Sequence, residues 1–192
     1  MRLSLPLGAL CLSALALVAW APPDSADRDL QEGKPFSEVA PAPDGAVLIH
    51  AAIDIAAPPK VIWDVMHDCR YAARLVTTVT LCRILQADPA HDTDVRETVT
   101  RGNFFVPTIS NVVREDYQPY QVIRFRKAGG NLKEEQGEWR LIPLQGGVTR
   151  VTYENLVGAD ILAPAPLVRE GMKRDTAKVL INLQREAVAA AR

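Results

Sequence analysis

The chain has 192 residues, 22 basic and 23 acidic side chains, a formal net charge of −1, and 48% hydrophobic against 23% charged residues. This is an ordinary globular composition for one domain with extensions. With its charges interspersed, it lacks the basic patch or stripe that a nucleic-acid partner demands, and none is expected.

Residues 1–21, MRLSLPLGALCLSALALVAWA, combine an early arginine, an apolar run and the A-x-A-like Ala19-Trp20-Ala21. They read as a signal peptide for export. Pro22 directly follows the expected scissile bond, so an uncleaved N-terminal anchor is the alternative. Residues 22–45 are rich in Pro, Asp, Glu and Ala without apolar period and read as a flexible arm. The folded domain is expected over 46–192.

From Val47 to Ile55 apolar residues alternate, predicting a strand. Pro58-Pro59 end it and open a short helix with Val61 and Val65 on one face, and a second short helix is expected over 71–76. Strands are predicted over 79–87, 94–101, 109–116, 121–127, 133–142 and 148–154, separated by Gly, Pro, Asn and Asp turns short enough to make neighbours antiparallel. Over 164–189, Val168, Met172, Thr176, Val179, Leu180, Leu183 and Ala187 recur at helical spacing, predicting one long amphipathic helix after Pro164 and Pro166. The fold class is α+β. A twisted seven-stranded sheet that meets a single helix leaves a lined cavity between them. Arg124, Arg126, Glu138, Arg140, Arg150 and Glu154 alternate with Ile123, Phe125, Trp139, Leu141, Val151 and Tyr153, so the charges are expected outside and the aromatics inside.

AAPPKVIWDVMHDCRYAARLVTTVTLCRIL resembles the opening of the START-like polyketide cyclase and coenzyme Q-binding superfamily, and GEWRLIPLQGGVTRVTYE resembles its W-x-L-x-P-x-x-G-G-x-T-x-V-x-Y hairpin. The resemblance covers residues 46–189. It implies a helix-grip fold: a seven-stranded antiparallel sheet curled around the long C-terminal helix, two short helices after strand one, and an apolar ligand between sheet and helix. Together with the leader, the family style implies residence in a bacterial periplasm. The motifs specify the fold rather than the ligand, because one fold hosts many functions.

Signatures of covalent chemistry are missing from the sequence. There is no G-x-S-x-G, H-E-x-x-H or phosphate loop, and Ser110 is the only serine after Val47. His67-Asp68-Cys69 would diverge by about 100° per residue on a helix, so neither a metal nor a cofactor is expected. Cys69 and Cys82 either form a disulfide, which would stabilise by roughly 3 kcal/mol, or remain two buried thiols. Glu97 shares a face with Val95 and Val99, and Asn111 shares one with Ile109 and Val113. Turned inward, both would orient a ligand, and the alternative is that both face solvent or a sheet edge. Trp63, Phe125, Trp139, Tyr153 and Met172 are expected in the core or against the ligand. Phe104 and Phe105, in a glycine-bounded loop, are expected as an entrance flap that touches a membrane, or as a plug.

The expected function is an exported binding protein for a hydrophobic small molecule or lipid, quinone-like molecules among them. The rival is a cyclase, dehydratase or aromatase using Glu97 with Tyr153 as hydrogen-bond donor. A third expectation is a scaffold whose cavity is filled by side chains.

Overall fold

The computed structural model describes residues 20–104, 106–161 and 163–192. The leader lies outside the described residues except for Trp20 and Ala21. Among the described residues, no helix is long and apolar enough to cross a membrane.

The elements run α1 (Asp27–Gln31), β1 (Phe36–Pro41), β2 (Val47–Ile55), α2 (Pro59–His67), α3 (Ala72–Leu75), β3 (Val79–Asp88), β4 (Thr93–Thr100), β5 (Ile109–Gln118), β6 (Val122–Gly130), β7 (Glu134–Pro143), β8 (Thr149–Gly158) and α4 (Ala165–Ala190). All strands join one antiparallel sheet in the order β1-β2-β8-β7-β6-β5-β4-β3.

Two expectations are corrected here. The sheet has eight strands rather than seven, and it is open, with β1 and β3 at opposite edges, rather than curled around the helix. The added strand comes from the segment read as a flexible arm. Phe36 pairs with Ala52 and Pro41 with Val47, and an edge strand tolerates the proline that hid it from pattern reading. Because β1 widens the sheet beside β2, α4 seats mainly on β1 and β2, with α2 and α3 along its flank. No curling of the sheet is needed to cover it.

The arm is held from the outer face. Leu30 is fully buried against Ala52, and Trp20 stacks on Phe36 and, at 4.7 Å between ring centroids, on His50. Arg150 reaches both Asp54 oxygens, at 2.7 and 3.0 Å, and Asp27 at 3.0 Å, so one guanidinium ties α1 to the sheet. A forked, partly buried pair of this kind is stronger than an ordinary surface ion pair.

The main core joins Ile53, Ile55 and Val151 of the sheet to Ile62 and Val65 of α2 and to Leu180, Leu183 and Ala187 of α4. These α4 residues lie one to two turns apart on one stripe. The stripe's other half, from Val168 to Met172, is not buried in this way.

Candidate functional site

Two spaces lie between the inner sheet face and α4. The inner cavity, about 270 Å³, is walled by Phe125, Trp139 and Tyr153 of the sheet, Leu75 of α3, and Val179 and Leu183 of α4. This is slightly below the usual range for small-molecule sites. Beyond it, a vestibule of about 440 Å³ is bounded by Ile109, Leu132, Val157, Ile161, Leu167 and Met172. A wider concavity of about 710 Å³ on the opposite sheet face is lined by charged groups such as Arg124, Glu138 and Arg140, already paired with one another.

Strand register decides which polar groups face the cavity. Thr98 and Asn111 are direct partners and both line it; Glu97 and Val112, their neighbours, turn outward. Glu97 therefore lies away from the cavity, where Arg83 Nε donates to it at 2.6 Å and the Ser110 hydroxyl at 3.4 Å. Asn111, Phe125, Trp139 and Tyr153 are brought together in the cavity wall, with Trp139 and Tyr153 stacked at 4.0 Å. Phe125 pairs with Gly137 across the sheet, where an added Cβ would come within 2.8 Å of the Phe125 Cζ and 2.0 Å of the Glu154 carbonyl oxygen. Trp63 sits elsewhere, in the core, stacked on His67 and edge-on to Tyr117. Met172 lines the vestibule. Phe104 is 92% exposed in the loop beside the vestibule, and Phe105 lies outside the described residues.

Of the carboxyls lining the cavity, Asp68, Glu115 and Glu135, the one beside Tyr153 is Glu135. Asn155 Nδ2 donates to its Oε1 at 3.1 Å and to the Tyr153 hydroxyl oxygen at 2.8 Å, and Asn111 also donates to Glu135. Burial pushes the Glu135 pKa up to about 7, against the downward pull of the two amides. Burial, reinforced by Glu135, also raises that of Tyr153. Among the described residues, Asn111 Oδ1 and Asn155 Oδ1 are buried and accept no hydrogen bond. A signal for Glu135 was present in the sequence: counting back by twos from Trp139 reaches Gly137 and Glu135. The Glu-rich run around it reads as a solvated strand.

A second polar cluster closes the far end. Asp94 and Glu115 are direct register partners on the inner face, a repulsive placement. Arg96 relieves it, 3.4 Å from each. Tyr117 donates to Glu115 at 2.6 Å, and His67 packs on the Tyr117 ring at 4.3 Å. Burial raises the Glu115 pKa against Arg96 and lowers that of His67, with Arg96 adding to the latter. His67, Asp94 and Glu115 place ligand-type atoms within 4.8 Å of one another. A metal ion held there would meet the Arg96 guanidinium, which already supplies the positive charge between the carboxylates.

Cys69 and Cys82 are bonded, with Cα atoms 5.4 Å apart, and Cys82 lines the cavity. The bond ties the turn before α3 to edge strand β3.

An open antiparallel sheet with one long C-terminal helix enclosing an apolar cavity defines a START-like, helix-grip protein. The chain belongs to the polyketide cyclase / dehydrase and lipid transport family, whose model matches residues 55–184. No curated protein matches it by sequence. Among solved structures, it resembles the Zhui aromatase/cyclase from Streptomyces sp. R1128 at 18% identity and a TM-score of 0.61, over 77% of this chain and 96% of that one. It also resembles the lipid transfer and protein localization domain of human StarD13 at 12% identity and a TM-score of 0.63, over 84% and 93%. The STAR-related lipid transfer protein from Xanthomonas axonopodis is similar at 13% identity and a TM-score of 0.62, over 79% and 98%. At these identities the likeness is one of fold.

Proposed function

We propose that this chain is an exported, non-catalytic binding protein for a small hydrophobic molecule or lipid held in the inner cavity. The observation that carries the reading is the cavity itself: a space under α4 walled by Met66, Leu75, Val79, Phe125, Trp139, Val179 and Leu183, with a small set of polar groups from β4, β5 and β7 among them. Two of the similar structures are lipid-transfer proteins or domains, which supports the same direction. Export is supported by the apolar leader and by the Cys69–Cys82 bond, which suits an oxidising compartment.

One observation favours a catalytic alternative of the aromatase/cyclase kind. Glu135, with its pKa near neutrality and joined through Asn155 to Tyr153, has the placement of a general acid or base. Glu135→Gln separates the two, since turnover would be abolished whereas a carrier would bind more weakly at most.

The test of the binding reading is native mass spectrometry of the exported protein, followed by solvent extraction. A stoichiometric apolar adduct is expected. An apo mass that does not shift on adding quinones, fatty acids or phospholipids would contradict it. The same spectrum reports whether residues 1–21 remain.

A further inference from the structure

Among the described residues, the inner cavity and the vestibule share no lining residue. The divide between them is polar. On β8, Val157 lines the vestibule and Tyr153 the cavity, and between the two stands buried Asn155, which donates to Glu135 at 3.1 Å and to the Tyr153 hydroxyl oxygen at 2.8 Å. An apolar molecule crossing from the vestibule would have to part these bonds and leave buried polar groups unpaired. The inner cavity therefore calls for an entrance of its own.

One of its walls is thin. Asp68, Ala72, Leu75, Val76, Val79 and Cys82 line the cavity along a single stretch, which the Cys69–Cys82 bond closes into a loop. Every residue from Cys69 to Cys82 is at least partly exposed, whereas the cavity's Val113, Phe125, Glu135 and Leu183 are buried. The loop is thus a single layer between cavity and solvent. Its last residues are fixed: Val79 and Cys82 pair with Thr100 and Thr98 of β4, and the Arg101 amide donates to the Thr78 carbonyl at 2.8 Å. Around α3 the ties are lighter. Tyr71 and Leu75 lean on the main core, Asn182 Nδ2 donates to the Leu75 carbonyl at 2.9 Å, and Arg74 meets Glu186 at 3.4 Å. The disulfide is the covalent tie between the two sides of this loop. It holds the Cys69 and Cys82 Cα atoms 5.4 Å apart, and a bonded pair cannot separate beyond about 7 Å.

We propose that the 69–82 loop is the lid of the inner cavity, that ligand enters and leaves between α3 and β3, and that the Cys69–Cys82 bond is the clasp that limits the opening. The proposal rests on the inner cavity being the ligand site. Because entry and exit both require the lid to open, loosening the clasp speeds both and leaves the affinity nearly unchanged.

The test is stopped-flow fluorescence of the full chain with N-phenyl-1-naphthylamine, an uncharged apolar probe. The oxidised protein is compared with the protein after dithiothreitol has reduced the bond to two thiols and has itself closed to a cyclic disulfide. Association and dissociation rate constants should both rise about tenfold on reduction while Kd changes less than about threefold, a factor well within what a disulfide closing a loop of this length can impose on chain freedom. Asn182→Ala, which cuts the Leu75 tie and keeps the bond, should raise both rates by a smaller factor, and it reads the lid in an oxidised chain should the reduced one unfold. Leu30→Ala loosens the fold from the outer face, away from the loop, and should leave both rates as they are. Rates unmoved by reduction of a chain that stays folded, rates unmoved by Asn182→Ala, or an equal rise in Leu30→Ala would overturn the lid while leaving the cavity reading standing. Absence of saturable probe binding in either redox state overturns both.

Discussion

The two halves of α4 carry the same apolar stripe and use it differently. From Leu180 to Ala187 the stripe is closed into the core, with Leu180, Leu183 and Ala187 at most 1% exposed. From Leu167 to Met172 it overhangs the vestibule, and Leu167 is 66% exposed. The difference follows from what lies beneath. The second half meets β2, α2 and α3 together, whereas the first half faces strand ends together with Ala159, Ile161 and Ala163. A helix long enough to outrun its support thus provides both a core and a mouth, and periodicity alone does not distinguish them.

Substitutions along the stripe should break this contrast most visibly. Leu180→Ala should cost about 4 kcal/mol in denaturant unfolding, because a fully buried leucine leaves a cavity behind. Met172→Ala should cost less than ~1 kcal/mol while weakening the binding of an apolar probe. Comparable stability losses at the two positions would mean that the vestibule is core.

Removing the Cys69–Cys82 bond, by reduction or Cys69→Ser, should lower stability by roughly 3 kcal/mol, given the 13-residue separation. Since the bond holds the turn before α3 on β3, hydrogen exchange should rise in residues 69–76 before it rises in α4. Uniform loss of protection would contradict that localisation.

Glu135 supplies a pH signature. Its folded pKa, about 7, lies above the ordinary 4.5, so the folded state is favoured while the carboxyl is protonated, and that advantage is lost as pH rises from about 4.5 to 7. Relative to Glu135→Gln, the native protein should lose about 3 kcal/mol across that window. A constant difference between the two would show that Glu135 is ionised and solvated.

The smallest effect is expected on the outer face. Glu97→Gln removes the Arg83 pair and should change stability by less than ~1 kcal/mol, with no change in probe affinity. A large loss of binding would bring Glu97 back to the cavity.

The regions differ in how far the sequence reveals them. Alternation around Phe125, Trp139 and Tyr153 carries the inner sheet face, and the spacing from Val168 to Ala187 carries α4. The first strand escaped, because six residues ending in proline, within an acidic and proline-rich stretch, carry too little pattern to outweigh their composition. Glu97 and Asn111 could not be separated without register, since a shift of one residue exchanges them. Glu135 was missed: the alternation through Trp139 reaches it, but its acidic neighbours make the run read as solvated. The His67, Asp94, Arg96 and Glu115 cluster depends on α2 meeting β4 and β5, a relation between distant segments that local spacing does not encode.

The most direct test of the cavity as a ligand site is titration of the full chain with an environment-sensitive apolar fluorophore, alongside Val179→Trp, which places an indole in the inner cavity. Saturable one-to-one binding by the native protein, lost in a Val179→Trp variant of unchanged melting temperature, is the expected result. Absence of saturable binding, or binding unaltered by the indole, would contradict the cavity as the ligand site.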